Sequence, residues 1–102
     1  MKVKASSGSG SGGANSYIVF SPDGGYNYYL YIDGTFGNKW SYTSHTTQHT
    51  DSNITITQYN DTTYTVLYKK NCTVTVGTGT PETIPANTTR NYSYNQNIYV
   101  IF

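Results

Sequence analysis

The 102-residue sequence is poor in charge: Asp, Glu, Lys and Arg make up 11% of it and the formal net charge is +1. A chain so close to neutral has no field with which to gather nucleic acid or an anionic membrane surface, so neither is expected as a partner. Low charge also leaves colloidal solubility weak, which suits a subunit held in an assembly better than a freely diffusing one. The single cysteine, Cys72, excludes an internal disulfide and a cysteine-rich metal site. It alternates in phase with Val74 and Val76, the pattern of a buried, unreactive thiol. No apolar run approaches the ~20 residues of a membrane-spanning helix. After Lys2 and Lys4 the chain turns to Ser and Gly instead of an apolar stretch, so no signal peptide is expected. Leu, Ala, Glu and Lys are scarce, and helical periodicity is missing from Tyr17 onward.

What remains is Thr, Ser, Asn and 12 tyrosines, arranged in short alternating runs punctuated by Gly, Pro, Asn and Asp. Thr and Tyr fit the pleated surface of a sheet and hydrogen-bond without adding charge. The spacing predicts strands at SYIVF (16–20), YNYYLYI (26–32) and KWSYTS (39–44), with a turn at SPDGG and a loop at DGTFGN (33–38). HTTQHTDS (45–52) reads as an edge strand or a loop. A meander follows through NITITQY (53–59), TTYTVLYK (62–69) and CTVTV (72–76), with Ile54, Ile56, Tyr64, Val66, Tyr68 and Val74 pointing inward. A long loop with one short strand leads to RNYSYN (90–95) and QNIYVIF (96–102). Strands at intervals near ten residues predict an all-β fold: an antiparallel β-sandwich, jelly-roll or immunoglobulin-like, with a small β-barrel as the alternative. Residues 1–16 form a Gly/Ser-rich extended arm ahead of a single domain, 17–102.

The two ends carry the sharpest expectations. NIYVIF is apolar on both faces, with Ile98, Val100 and Phe102 on one and Tyr99 and Ile101 on the other. A strand wetted on one side would alternate, so this one is expected to be covered twice, by a loop or by another subunit. YNYYLYI has the same two-sided character. The arm residues Ser6, Ser7, Gly8, Ser9, Gly10, Ser11, Gly12 and Gly13 have no means of burying themselves. A flexible tether and an artificial linker are two readings of the arm. The favoured one is a segment lying along a neighbouring subunit, where residues without bulk allow close backbone packing.

Catalytic signals are weak, and neither an enzyme nor a cofactor is expected. Asp23, Asp33, Asp51 and Asp61 all sit beside turns, where Asp bonds its own backbone. His45 and His49 are four apart, but in an extended strand that puts their rings about 13 Å from each other, too far to share a metal. Ser44, His45 and Asp51 can be written as a triad, but without a nucleophile elbow. Aromatic rings beside Asn and Asp suit stacking on a sugar ring, which makes Trp40, Tyr42 and Tyr29 a candidate glycan platform. The competing reading makes Trp40 the core tryptophan of the sandwich. The five Asn-X-Ser/Thr sites are taken as a consequence of composition.

In overall character the chain resembles the small β-sandwich subunits of virus particles: capsid-decoration, spike or tail proteins. The shared features are the Thr/Asn/Tyr-rich, weakly charged sequence and the leading arm, with no diagnostic motif. The resemblance implies a non-enzymatic structural subunit of a virion that binds its own copies or a neighbouring capsid or tail protein. Alternatives are a subunit of an extracellular surface filament, and an adhesin binding a host-surface glycan.

Overall fold

The computed structural model describes residues 14–24, 26–41 and 46–102. It contains β1 (Ser16–Phe20), β2 (Asn27–Ile32), β3 (Thr35–Ser41), β4 (Thr47–Thr50), β5 (Ile54–Gln58), β6 (Thr63–Tyr68), β7 (Cys72–Val76), β8 (Glu82–Ile84), β9 (Thr88–Ser93) and β10 (Ile98–Ile101). They form two antiparallel sheets, a six-stranded one ordered β3-β2-β1-β10-β7-β8 and a four-stranded one ordered β4-β5-β6-β9. The sheets stack as a sandwich and do not close into a barrel.

Period-two alternation builds the core. The six-stranded sheet turns Tyr17, Val19, Tyr28, Leu30, Trp40, Val74, Ile98 and Val100 inward, and the other sheet meets them with Ile54, Ile56, Tyr64, Val66, Tyr68 and Tyr92. Each fully buried side chain of this size contributes roughly 1.5–3 kcal/mol of transfer free energy. The tyrosines buried here need partners for their hydroxyls. Tyr68 and Tyr92 share a hydrogen bond of 2.8 Å, and Tyr64 donates to the Gln96 carbonyl at 2.7 Å. Tyr28 stacks on Trp40 at 5.9 Å and meets Tyr64 and Tyr94 from the opposite sheet at 5.3 and 4.8 Å. At one open side Arg90 on β9 donates to Glu82 on β8 at 2.9 Å, tying the edges of the two sheets.

Three local expectations are corrected. The predicted loop at 33–38 is a two-residue turn, Asp33-Gly34, with φ of 50° and 81°, and β3 already starts at Thr35. Two successive positive φ values match the twist of a hairpin, so the chain reverses at once. Gly37 disguised this by interrupting the alternation. It lies in β3 where the register slips opposite Leu30 and Tyr31, and a Cβ there would stand 3.1 Å from Ile32 Cδ1. Tyr26, which opens the strand predicted at 26–32, lies outside β2 and is exposed. β9 begins at Thr88, two residues before the predicted start. β1, Ser16–Phe20, has the bounds expected for the first strand. The segment 45–52 contains an edge strand, β4, and the long loop does hold one short strand, β8.

Candidate assembly surface

β1 and β10 lie side by side in the middle of the six-stranded sheet, and β2 flanks β1. Because side chains alternate, the residues between the core positions of these strands point to the outer face. Their register lines them up in rows. Phe20 stands opposite Tyr29, and Ile18 stands opposite Tyr31 on one side and Tyr99 on the other. Tyr31 in turn faces Phe36 across to β3, and Ser16 faces Ile101. The rings touch: Phe20 lies 5.9 Å from Tyr29 and 5.7 Å from Tyr31, and Phe36 packs edge-on to Tyr31 at 5.9 Å. One apolar, largely aromatic surface therefore runs from β3 to β10. Phe36 is 54% exposed, and Tyr99 and Ile101 are each 43% exposed. Scattered exposed hydrophobics are ordinary on any protein, whereas a contiguous patch of this kind marks an interaction site.

The four-stranded sheet provides an internal comparison. Its outer face carries Thr57, Thr65 and Asn91 in one row and Thr55, Leu67 and Thr89 in the next. Hydroxyls and amides pair across it, Thr65 to Asn91 at 2.9 Å and Thr50 to Thr55 at 2.7 Å. A sheet of this fold that meets water is thus dressed with Thr and Asn. The other sheet is dressed with Phe, Tyr and Ile from β3 to β10, and with Thr73, Thr75 and Thr83 on β7 and β8.

The strand expected to meet a neighbour divides its residues between the two faces of the sheet. Ile98 and Val100 are 1% and 0% exposed and belong to the chain's own core, and Phe102 packs edge-on to Tyr17 at 5.4 Å. Only Tyr99 and Ile101 face outward. Among the described residues nothing covers these two completely, each being 43% exposed. Sequence reasoning missed Ile18, Phe20 and Phe36. SYIVF is apolar on both faces just as NIYVIF is, and that signal points to the first two.

The glycan platform is corrected as well. Trp40 is 5% exposed on the inner face, paired in register with Tyr28, while Tyr29 pairs with Lys39 and points outward. The sheet itself separates the two rings. Lys39 Nζ lies 5.9 Å from the centre of the Tyr29 ring. Tyr42 and the arm residues Ser6 to Gly13 lie outside the described residues, as do Ser44 and His45.

Where the chain enters the sandwich, a polar cluster holds it. Asp33 Oδ1 accepts the amides of Asn15 and Ser16, each at 2.9 Å, and the Phe102 amide donates to the Asn15 carbonyl at 2.8 Å. Asn53, 2% exposed, donates through Nδ2 to the Ala14 carbonyl at 2.8 Å and to Tyr17 Oη at 3.2 Å. Tyr17 Oη donates to Asp51 Oδ2 at 2.6 Å, His49 Nε2 lies 2.8 Å from the same oxygen, and the amides of Asn53 and Ile54 donate to Oδ1. Lys69 Nζ donates to the Asp51 carbonyl at 2.6 Å. Burial pushes the Asp51 carboxyl up, but the hydrogen bonds from Tyr17, His49 and the two amides outweigh it and hold the group below its ordinary value. Burial, with the carboxylate as partner, raises the Tyr17 hydroxyl. Asp51 thus acts as an acceptor that fixes the start of β1.

Among the described residues no group of three His, Cys, Asp or Glu is placed to hold a metal. Cys72 is buried, and desolvation pushes its thiol up to about 11. No described helix is long and apolar enough to cross a membrane. No protein-family model, curated protein or solved structure matches this chain.

Proposed function

We propose that this chain is a non-enzymatic structural subunit of a virion, of the capsid, decoration, spike or tail kind, which assembles through protein–protein contacts. The observation that carries the reading is the contrast between the two outer faces, one built of Thr and Asn and the other, from β3 to β10, of Phe, Tyr and Ile. A domain that worked alone in water has no use for the second kind. The fixed entry of the chain at Ala14–Ser16 gives the arm that precedes it a defined point of departure, beside the Ile101 edge of the apolar face. The arm then extends the contact to a neighbour. Particles purified from the source and analysed by mass spectrometry are expected to contain the chain in fixed proportion to the major capsid or tail protein. Its absence from washed particles refutes the reading.

A further inference from the structure

We propose that the occupant of the apolar face is a second copy of this chain, the two six-stranded sheets packing face to face about a two-fold axis. The inference rests on the structural-subunit reading and adds the partner. Three observations select a copy over another partner. The first is area. The outer side of the sheet spans six strands, about 24 Å at the usual strand spacing; its apolar rows occupy the strands from β3 to β10, of four to seven residues and roughly 14–24 Å, and Thr73, Thr75 and Thr83 flank them on β7 and β8. That is a flat footprint of roughly 450 Å² per copy. That is about half of the ~800 Å² per partner that a standard stable interface buries, the size of a weaker pair that forms at micromolar concentration. The second is charge. Beside the rings of Phe20, Tyr29 and Tyr31 the strands of this face carry, among the described residues, one outward charged group, Lys39, at the margin. An acidic or basic partner has nothing to pair with, whereas a neutral apolar surface is complemented by itself, as a two-fold contact requires. Two copies also carry the same twist, so their sheets stack in the aligned manner of a sandwich interior.

The third is the state of the edges, which argues for a closed pair over an open strand-by-strand polymer. β3 and β4 are each interrupted by a register shift, and β8 has three residues. β9 carries Arg90, held by Glu82 on the neighbouring edge. Short, bulged or charged edges resist edge-to-edge pairing. The face is what remains available.

Sedimentation velocity of the full chain, from low to high micromolar concentration, tests the proposal. A dimer is expected. Tyr31→Thr combined with Tyr99→Thr gives this face the residue its sister sheet uses, which keeps strand propensity, and is expected to weaken dimerisation by about 100-fold or more. Circular dichroism and thermal melting of the variant establish that it folds. Thr55→Ser on the opposite sheet is expected to leave the dimer unchanged. A wild-type chain that stays monomeric throughout overturns the pairing, as does a dimer indifferent to the two Thr substitutions, or a monomer that instead binds immobilised glycans through Phe36. If the chain is monomeric yet present in particles, the pairing fails and the structural role stands. If it dimerises through this face yet is absent from particles, the reverse holds.

Discussion

The Asp51 cluster supplies the most quantitative test of how the chain is anchored. In Asp51→Asn the amide oxygen still accepts the Asn53 and Ile54 amides, but Nδ2 replaces the carboxylate oxygen that now faces Tyr17 Oη at 2.6 Å and His49 Nε2 at 2.8 Å. A hydrogen bond to a charged group is worth about 1.5–3 kcal/mol and a neutral one about 1 kcal/mol. The Tyr17 hydroxyl recovers part of the loss by rotating to accept from the new amide. The His49 contact is partly exposed, with side chains 21% and 30% accessible, so solvent screening cuts its share to a few tenths of a kcal/mol. The expected net cost is about 2 kcal/mol, or a fall in melting temperature of roughly 8–16 °C for a domain of this size. Tyr17→Phe removes the partner hydroxyl and is expected to cost about 1–1.5 kcal/mol. Both substitutions delete the same bond, so the double variant is expected to be about 1 kcal/mol more stable than their sum. Urea unfolding of the four proteins measures this. Additivity to within ~0.5 kcal/mol refutes the claim that these two groups act on each other.

The same group sets a pH dependence. Its folded value lies below that of an unfolded aspartate, about 3.9. Its contribution is therefore complete above pH ~4 and is lost as the pH falls through the lower, folded value. Wild type and Asp51→Asn are expected to converge in stability as the pH is lowered from 5 toward 2. A gap that stays constant on acidification contradicts the assignment.

Two further outcomes are expected. Cys72 is 6% exposed with its thiol pushed up to about 11, so a thiol reagent at neutral pH should react only on unfolding, and stoichiometric labelling of the native chain counts against the burial described. Deleting residues 2–13 keeps Ala14 and its bond to Asn53, so the melting temperature should be unchanged and the face-to-face pair retained, while assembly into particles is lost; particles that still form reject the arm's role.

Much of the sandwich is legible from local pattern, because each strand of the meander repeats its burial preference several times over. Thr55, Thr57 and Thr65 alternate with Ile54, Ile56 and Val66, and only one register satisfies all of them. β3 was mistaken where the repeat is broken. Gly37 and the register slip beside it remove two cycles of alternation, and Phe36 then looks like a loop residue. The Asp-Gly turn two residues earlier was the better guide, since it needs only its own two dihedral angles.

The apolar face is harder to read because it is not local. SYIVF and NIYVIF each report an unusual second apolar side, but they stand at opposite ends of the described chain. Nothing in either says that Ile18 and Tyr99 are neighbours. That follows only from β1 pairing with β10, a contact made by the fold as a whole. Once they are adjacent, their second faces no longer require separate covers. Two strands that each need cover become one surface that needs a single cover, and YNYYLYI beside them widens it to β3. A cross-strand pairing likewise decides between the two readings of Trp40, in favour of the core. A large ring is conspicuous in sequence whichever face it takes, and the strand's phase, fixed here by Trp40 opposite the buried Tyr28, decides which face that is.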